Sequence, residues 1–247
     1  MVQGALAHGG QPARGLMRLL IVASDPMEYR GMLAVLENPK RPALAVDWAR
    51  SGRLGGHECL MVANGAGWKR AAAAVDAAHD SFVPEAIVSA GFCGALDPAL
   101  RIADVVVGNC VAGPVRRHGA LPVSGGAPYR NGLVMSIDHV AGSRAEKQTL
   151  HERGGSAVEM EAAGVAERAD ALQLPFYCVR AVTDLACEDM ANDFNSALRP
   201  DGHFATMLIF RRALRHPGGR VPELIRLQRR CVRAAQSLGE FFADCRF

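Results

Sequence analysis

Four carboxylates in this 247-residue chain, Glu28, Glu159, Glu161 and Asp184, stand where an acid or a base could work. Each falls at a strand end or beside a helix start, where a lone acidic residue commonly does no more than cap a helix or carry solvated charge. The segment Gly154-Gly155-Ser156-Ala157-Val158-Glu159-Met160-Glu161-Ala162-Ala163-Gly164 weakens that plain reading, because it sets two carboxylates among small and apolar neighbours. Burial there raises a carboxyl pKa unless donors, water or ligand hydroxyls meet its oxygens, and sugar hydroxyls are natural partners. Asp184 follows the apolar run Cys178-Val179-Arg180-Ala181-Val182-Thr183. It is expected to stay protonated in a pocket and to serve as a general acid.

Two glycine motifs lie near strand ends. Gly91-Phe92-Cys93-Gly94-Ala95-Leu96 follows the apolar run Ala86-Ile87-Val88-Ser89-Ala90, and so occupies the carboxyl end of an expected strand, where α/β sheets place ligands. Close approach of a ligand and a plain tight turn both fit it. Gly65-Ala66-Gly67 has the look of a dinucleotide-binding turn but lacks a third glycine and an acidic residue closing the next strand. It is read as a tight strand-to-helix turn.

The elements that must position these residues alternate along the chain. Apolar or β-branched runs at 19–23, 58–63, 86–90, 104–110, 132–136 and 176–183 are expected strands, and helices are expected at 68–80, 145–152 and 161–172. This pattern predicts an α/β fold with a sheet covered by helices on both faces. After Leu198, Arg199-Pro200-Asp201-Gly202 breaks the pattern, a helix is expected over 204–214, and His216-Pro217-Gly218-Gly219 precedes a final helix. Val221, Leu224, Ile225, Val232, Ala235, Leu238 and Phe242 recur there at a period near 3.6, while Arg226, Arg229, Arg230 and Arg233 fill the opposite face. The basic face is read as solvated, with contact to a membrane surface as the alternative.

Composition sets the frame. With 49% hydrophobic residues the chain can bury one large core. Residues 17–247 are expected to form one domain with a helical tail over 199–247, and residues 1–16, which lack the apolar core of a secretory signal, to be a disordered extension or tag. No apolar run approaches the ~18 residues of a membrane span. The seven scattered cysteines form no Cys-x-x-Cys pair, and no His cluster has ligand spacing. Reduced thiols, no metal and a cytoplasmic location follow as expectations. The net charge of +3 conceals ten arginines against four acidic residues after Leu198. No nucleic-acid partner is expected.

Four motifs carry a wider resemblance: Met17-Arg18-Leu19-Leu20-Ile21-Val22-Ala23-Ser24 with Glu28; Gly91-Phe92-Cys93-Gly94-Ala95-Leu96-Asp97-Pro98; Ala157-Val158-Glu159-Met160-Glu161-Ala162; and Val179-Arg180-Ala181-Val182-Thr183-Asp184 with Phe194 beyond it. Taken in order, over residues 17–198, they resemble the purine nucleoside phosphorylase and nucleosidase superfamily, especially the methylthioadenosine/S-adenosylhomocysteine nucleosidases. The resemblance implies a three-layer α/β/α sandwich with a mixed central sheet, a homodimer or larger assembly, a nucleoside as small-molecule partner and no cofactor. It also implies roles. Met160 and Glu161 resemble the ribose-binding pair, Asp184 the acid that protonates the purine at N7, Glu28 and Glu159 the carboxylates that activate water, and Phe194 the aromatic packed near the base. Such cleavage passes through an oxocarbenium-like sugar, which nearby carboxylates stabilise.

The same resemblance bears on the nucleophile. Phosphorylases of the hexameric type place an Arg two residues before the glycine corresponding to Gly91 and a Ser directly after it. Here those positions are Ser89 and Phe92. With Glu28 close to where phosphate charge would sit, water is favoured. Asp138-His139-Val140-Ala141 stands where nucleosidases carry a more aromatic base-contact segment, and the tail resembles that of hopanoid-associated phosphorylases, which implies adenosylhopane as substrate. Phe92, Val140 and Met207 would then admit a hydrocarbon at the ribose 5′ end, with Cys93, Gly94 and Val158 as further substrate contacts. The expected activity is hydrolysis of a 5′-substituted adenosine to free base. Phosphorolysis, a non-catalytic nucleoside binder and, more weakly, a dinucleotide-dependent oxidoreductase are the alternatives.

Overall fold

The computed structural model of the chain describes residues 16–125 and 127–247. The elements run Arg18–Ala23 (β1), Arg30–Ala34 (α1), Glu37–Lys40 (β2), Trp48–Leu54 (β3), His57–Ala63 (β4), Trp68–Phe82 (α2), Ala86–Ala95 (β5), Val105–Ala112 (β6), Arg117–Gly119 (β7), Ser124–Gly125 (β8) and Tyr129–Ser136 (β9). They continue as Arg144–Glu152 (α3), Gly155–Glu159 (β10), Ala162–Ala171 (α4), Phe176–Asp184 (β11), Thr206–Ala213 (α5), Pro217–Asp244 (α6) and Cys245–Arg246 (β12).

Every run expected as a strand coincides with an observed one, save that Asp104 lies just before β6. The central strands β1, β4, β5 and β11 pair in parallel and are almost wholly buried, which is why they read as unbroken apolar runs and not as alternating ones. One mixed sheet results, in the order β10-β9-β6-β11-β5-β1-β4-β3-β2, with β7 on β6. Successive residues of β1 supply opposite cores: Leu19 and Ile21 pack with Met32, Phe241 and Phe242, and Leu20 and Val22 with Ala71, Val75 and Val165. Helices α1 and α6 therefore cover one face and α2 and α4 the other, a three-layer α/β/α arrangement.

The structure departs from the sequence reading in three places. Strands β2, β3, β7, β8, β10 and β12 and the short helix α1 were not expected. Strand β5 extends to Ala95, so the Gly91 motif is strand rather than a turn after it. And α6, read as a helix packed on the body with a solvated basic face, goes further than that and forms a whole layer of the fold, burying Leu238, Phe241 and Phe242 on the sheet. Ile225, placed by period on its apolar side, is instead exposed, and Glu223 points inward. Helices α1 and α6 cross so closely that a Cβ on Gly239 would collide with the backbone of Gly31. Phe241→Ala, at a site with 0% exposure, is expected to cost about 3–5 kcal/mol in a denaturant titration. A cost below ~1 kcal/mol would show that α6 is not part of the core.

Strand β5 brings the site together. At its end Gly94 pairs with Val158 of antiparallel β10 and with Asp184 of parallel β11, across a shift in register between Val182 and Asp184. Two segments far apart in sequence thus meet over one glycine.

Candidate active site

Glu28, Glu159, Glu161 and Asp184 line a single cavity of about 330 Å³. Met160, Phe194, Phe92, Cys93, Gly94, Val140 and Val158 line it too, so the expected site residues converge. Met207 does not; it is 71% exposed. Its helix turns Ile209 inward instead, and Phe204, Leu227 and Cys231 complete an apolar wall with Met190. None of these five was foreseen, because all lie beyond the motifs and four belong to the tail.

Glu28 is both a cap and a cavity residue. Asp25 caps the short 3-10 helix Pro26–Tyr29, and Glu28 closes a capping box with it. Its Oε2 accepts from Ser24 N, Ser24 Oγ and Asp25 N at 2.8–2.9 Å, while Oε1 accepts from Phe92 N at 2.7 Å. Burial pushes its pKa up, and the Phe92 and Asp25 amides and the Arg180 charge offset part of that rise. Gly91, at φ +148°, lets the chain pass this close: a Cβ there would lie 2.5 Å from Glu28 Oε1 and 2.8 Å from an Arg180 nitrogen.

Glu159 also doubles as a cap. Its Oε2 accepts from Glu161 N at 2.9 Å and Ala162 N at 2.8 Å, at the start of α4. Its Oε1 is buried with no hydrogen-bond partner, although the residue lines the cavity. A carboxylate oxygen left so is an acceptor awaiting a donor.

The side chain that binds these carboxylates together is Arg180, which sequence reasoning passed over as one letter in an apolar run. It has 0% exposure, and its guanidinium lies 2.5 Å from Glu159 Oε2 and 3.8 Å from Glu161 Oε2. A charged residue in the middle of a strand buried on both faces demands partners, and that was the signal available. Burial alone would lower its pKa, but the surrounding carboxylates raise it above the ordinary arginine value. It also donates to Ser89 Oγ at 2.5 Å. Ser89 and the Phe92 amide, at the positions where a phosphate site would be expected, are therefore both engaged within the protein. Among the described residues no Lys or Arg lines the cavity; His139 does, held between Asp138 at 2.8 Å and Glu146 at 2.5 Å.

Burial first, and the Glu159 charge second, push Glu161 from 4.5 to about 8, with Arg180 pulling the other way. The folded chain keeps this proton up to about pH 8, whereas the unfolded chain releases it above 4.5. The stability it contributes is therefore complete below pH 4.5 and lost as pH rises to 8. Glu161→Gln is expected to flatten that decline in melting temperature measured against pH. An unchanged slope would place the titration elsewhere.

Asp184 differs from expectation in its surroundings. In place of purely apolar walls, the fully buried ammonium of Lys147, on α3, forms an ion pair with its Oδ2 and donates to Leu185 O at 2.9 Å. Thr183 Oγ1 donates to Oδ1 at 3.1 Å. Nothing in Ala145-Glu146-Lys147-Gln148, which reads as a solvated helix face, announces this. Val140 departs similarly: its N–H and C=O are both taken by the Asn195 carboxamide, at 2.7 and 2.9 Å, leaving its side chain for a ligand.

The tail holds this end of the site. Glu223 of α6 accepts from Ala191 N at 2.7 Å and Asn192 N at 2.8 Å, and Arg230 grips Glu188 through two bonds. The loop between Asp184 and Phe194 is thus fastened to α6.

Comparison with known proteins gives the family and the fold. Residues 18–120 and 109–207 match the Phosphorylase superfamily. The chain belongs to that superfamily. The 5′-methylthioadenosine/S-adenosylhomocysteine nucleosidase of Mycobacterium bovis is 25% identical over 71% of this chain and 88% of its own length. That of Pseudoalteromonas translucida is 24% identical over 74% and 90%. Among solved structures, the S. pneumoniae 5′-methylthioadenosine/S-adenosylhomocysteine nucleosidase with the transition-state inhibitor MT-ImmA aligns with a TM-score of 0.66 at 19% identity, covering 92% of this chain and 99% of that one. Futalosine hydrolase of Helicobacter pylori aligns at 0.69 with 15% identity, covering 93% and 97%. These likenesses bear out the α/β/α fold with its mixed sheet.

Proposed function

We propose that this chain is a nucleosidase that cleaves the N-glycosidic bond of a 5′-substituted adenosine with water. The observation that carries the reading is the buried, unpartnered Oε1 of Glu159, a residue that lines a cavity ringed by carboxylates and by no Lys or Arg among the described residues. Such a floor suits a water molecule and a cation-like sugar, and disfavours a phosphate dianion.

In this account Glu161, with Met160, holds the ribose hydroxyls, and Glu28 and Glu159 hold the attacking water. Its oxygen bonds to the anomeric carbon, its proton passes to a carboxylate, and the bond to the base breaks. Asp184 delivers a proton to the base at N7, with the Lys147 ammonium behind it as the source, so that the base leaves neutral. Phe194 packs beside the base, and Phe92, Cys93, Gly94, Val140 and Val158 complete the walls.

The apolar wall of Met190, Phe204, Ile209 and Leu227 supports an apolar 5′ substituent, and adenosylhopane is the proposed example. The working assembly is a homodimer or larger, to be checked by light scattering. Seven free cysteines fit a reducing, cytoplasmic location.

Methylthioadenosine, S-adenosylhomocysteine and adenosylhopane, each incubated with purified protein, test the substrate. Adenine is expected from at least one of them, and from adenosylhopane if the 5′ group is a hydrocarbon. No adenine from the hopanoid removes that substrate, and none from any of them removes the reading.

A further inference from the structure

Helix α5 is apolar on two sides. Ile209 and Ala213 are buried, Ile209 against the cavity, yet Met207, Phe210 and Leu214 along the other side are 71%, 48% and 53% exposed. Spacings of three and four residues put these three on one stripe. Soluble surfaces seldom leave a stripe of large apolar side chains uncovered without a partner for it.

The charge around the stripe says what kind of partner. Between Gly202 and Gly239 the chain carries eight arginines and a single acidic residue, Glu223. Glu223 is buried and spent on the Asn192 loop, so the segment itself presents no carboxylate; Glu188 and Asp193 of the preceding loop lie near Arg226, Arg230 and Arg212, while Arg211, Arg215 and Arg229 form no ion pair among the described residues. Arg211 and Arg215 directly follow Phe210 and Leu214 and are exposed, as are Arg226 and Arg229 of α6 beside the exposed Ile225. Large apolar groups flanked by uncompensated arginines form the pattern of a helix lying in the headgroup region of an anionic bilayer.

We infer that the outer side of α5, with the start of α6, docks on the surface of a bilayer carrying anionic lipids. No helix among the described residues is long and apolar enough to cross one, and the docking is interfacial. Because the inner side of the same helix lines the cavity, docking sets the apolar wall of the site directly behind the membrane surface. The inference rests on α5 and not on the reaction, and it is read with no nucleoside present.

Co-sedimentation of the full chain with phosphatidylcholine vesicles, with and without about one-third phosphatidylglycerol, tests it. Binding to the anionic vesicles is expected, with little to the neutral ones and release in high salt. Phe210→Gln/Leu214→Gln and, separately, Arg211→Glu/Arg215→Glu are each expected to weaken it by about tenfold or more while leaving circular dichroism unchanged. Absence of binding at low salt, or equal binding by both variants, overturns the inference. So does a fall to half the mass in light scattering for the Phe210/Leu214 variant, which would mean that a second copy covers the stripe.

Discussion

Asp184→Asn is expected to lower the rate of base release by about 10²–10⁴-fold, the range lost when a general acid is removed. The substitution keeps the size of the side chain and an oxygen that can accept from Thr183 or Lys147, so the cavity should keep its shape and nucleoside binding should persist. The loss belongs in kcat more than in KM, because the proton is needed only as the base departs. A variant that releases base at the native rate would remove Asp184 from the mechanism. Wild-type protein that binds nucleoside without turning it over would favour a binding protein built on the same fold.

Lys147→Met is expected to destabilise the fold by about 3–5 kcal/mol, since it leaves Asp184 buried without its cation. Both ends of this pair are out of water: the lysine side chain is 0% exposed and that of Asp184 12%. Stability from urea titration should fall by that amount in the single variant, and much of it should return in Lys147→Met/Asp184→Asn, which leaves neither charge alone. Non-additivity of this kind is the mark of a coupled pair. If the two substitutions simply add, the ion pair is not what holds Lys147 inside. Activity is expected to fall in the single variant as well, because the lysine stands behind the proposed acid.

What could be read from the sequence was what burial on both sides of a sheet writes plainly. Runs such as Leu19 to Ala23 and Phe176 to Thr183 are apolar throughout because helices cover both faces, and their strands were placed to within a few residues. Strand β10 escaped notice because Gly154-Gly155-Ser156 looks like a loop; it is a strand because β5 and β9 pair with it on either side. The four carboxylates were visible through their motifs, and for Glu28 and Glu159 the plain reading holds beside their place in the cavity: each caps local backbone through Oε2 and lines the cavity.

The partners of those carboxylates were harder to see. Arg180 hides in a strand of apolar letters, and Lys147 in a helix of polar ones; only three-dimensional proximity distinguishes a buried cation from a solvated one. The weight of the tail in the fold was hard to judge for a related reason. Its arginines dominate the composition, while the buried Phe241, Phe242 and Glu223 that make α6 a structural layer and a latch are few. Met207 was assigned to the cavity through the resemblance of the tail, but a helix of eight residues can turn Ile209 inward and Met207 outward within one turn.

The central claim, that water and not phosphate attacks the sugar, is tested most directly by measuring adenine release in phosphate-free buffer and again with phosphate added in the millimolar range. The account predicts the same rate in both and a free sugar as the second product. A rate that vanishes without phosphate, with a sugar 1-phosphate as product, would contradict it.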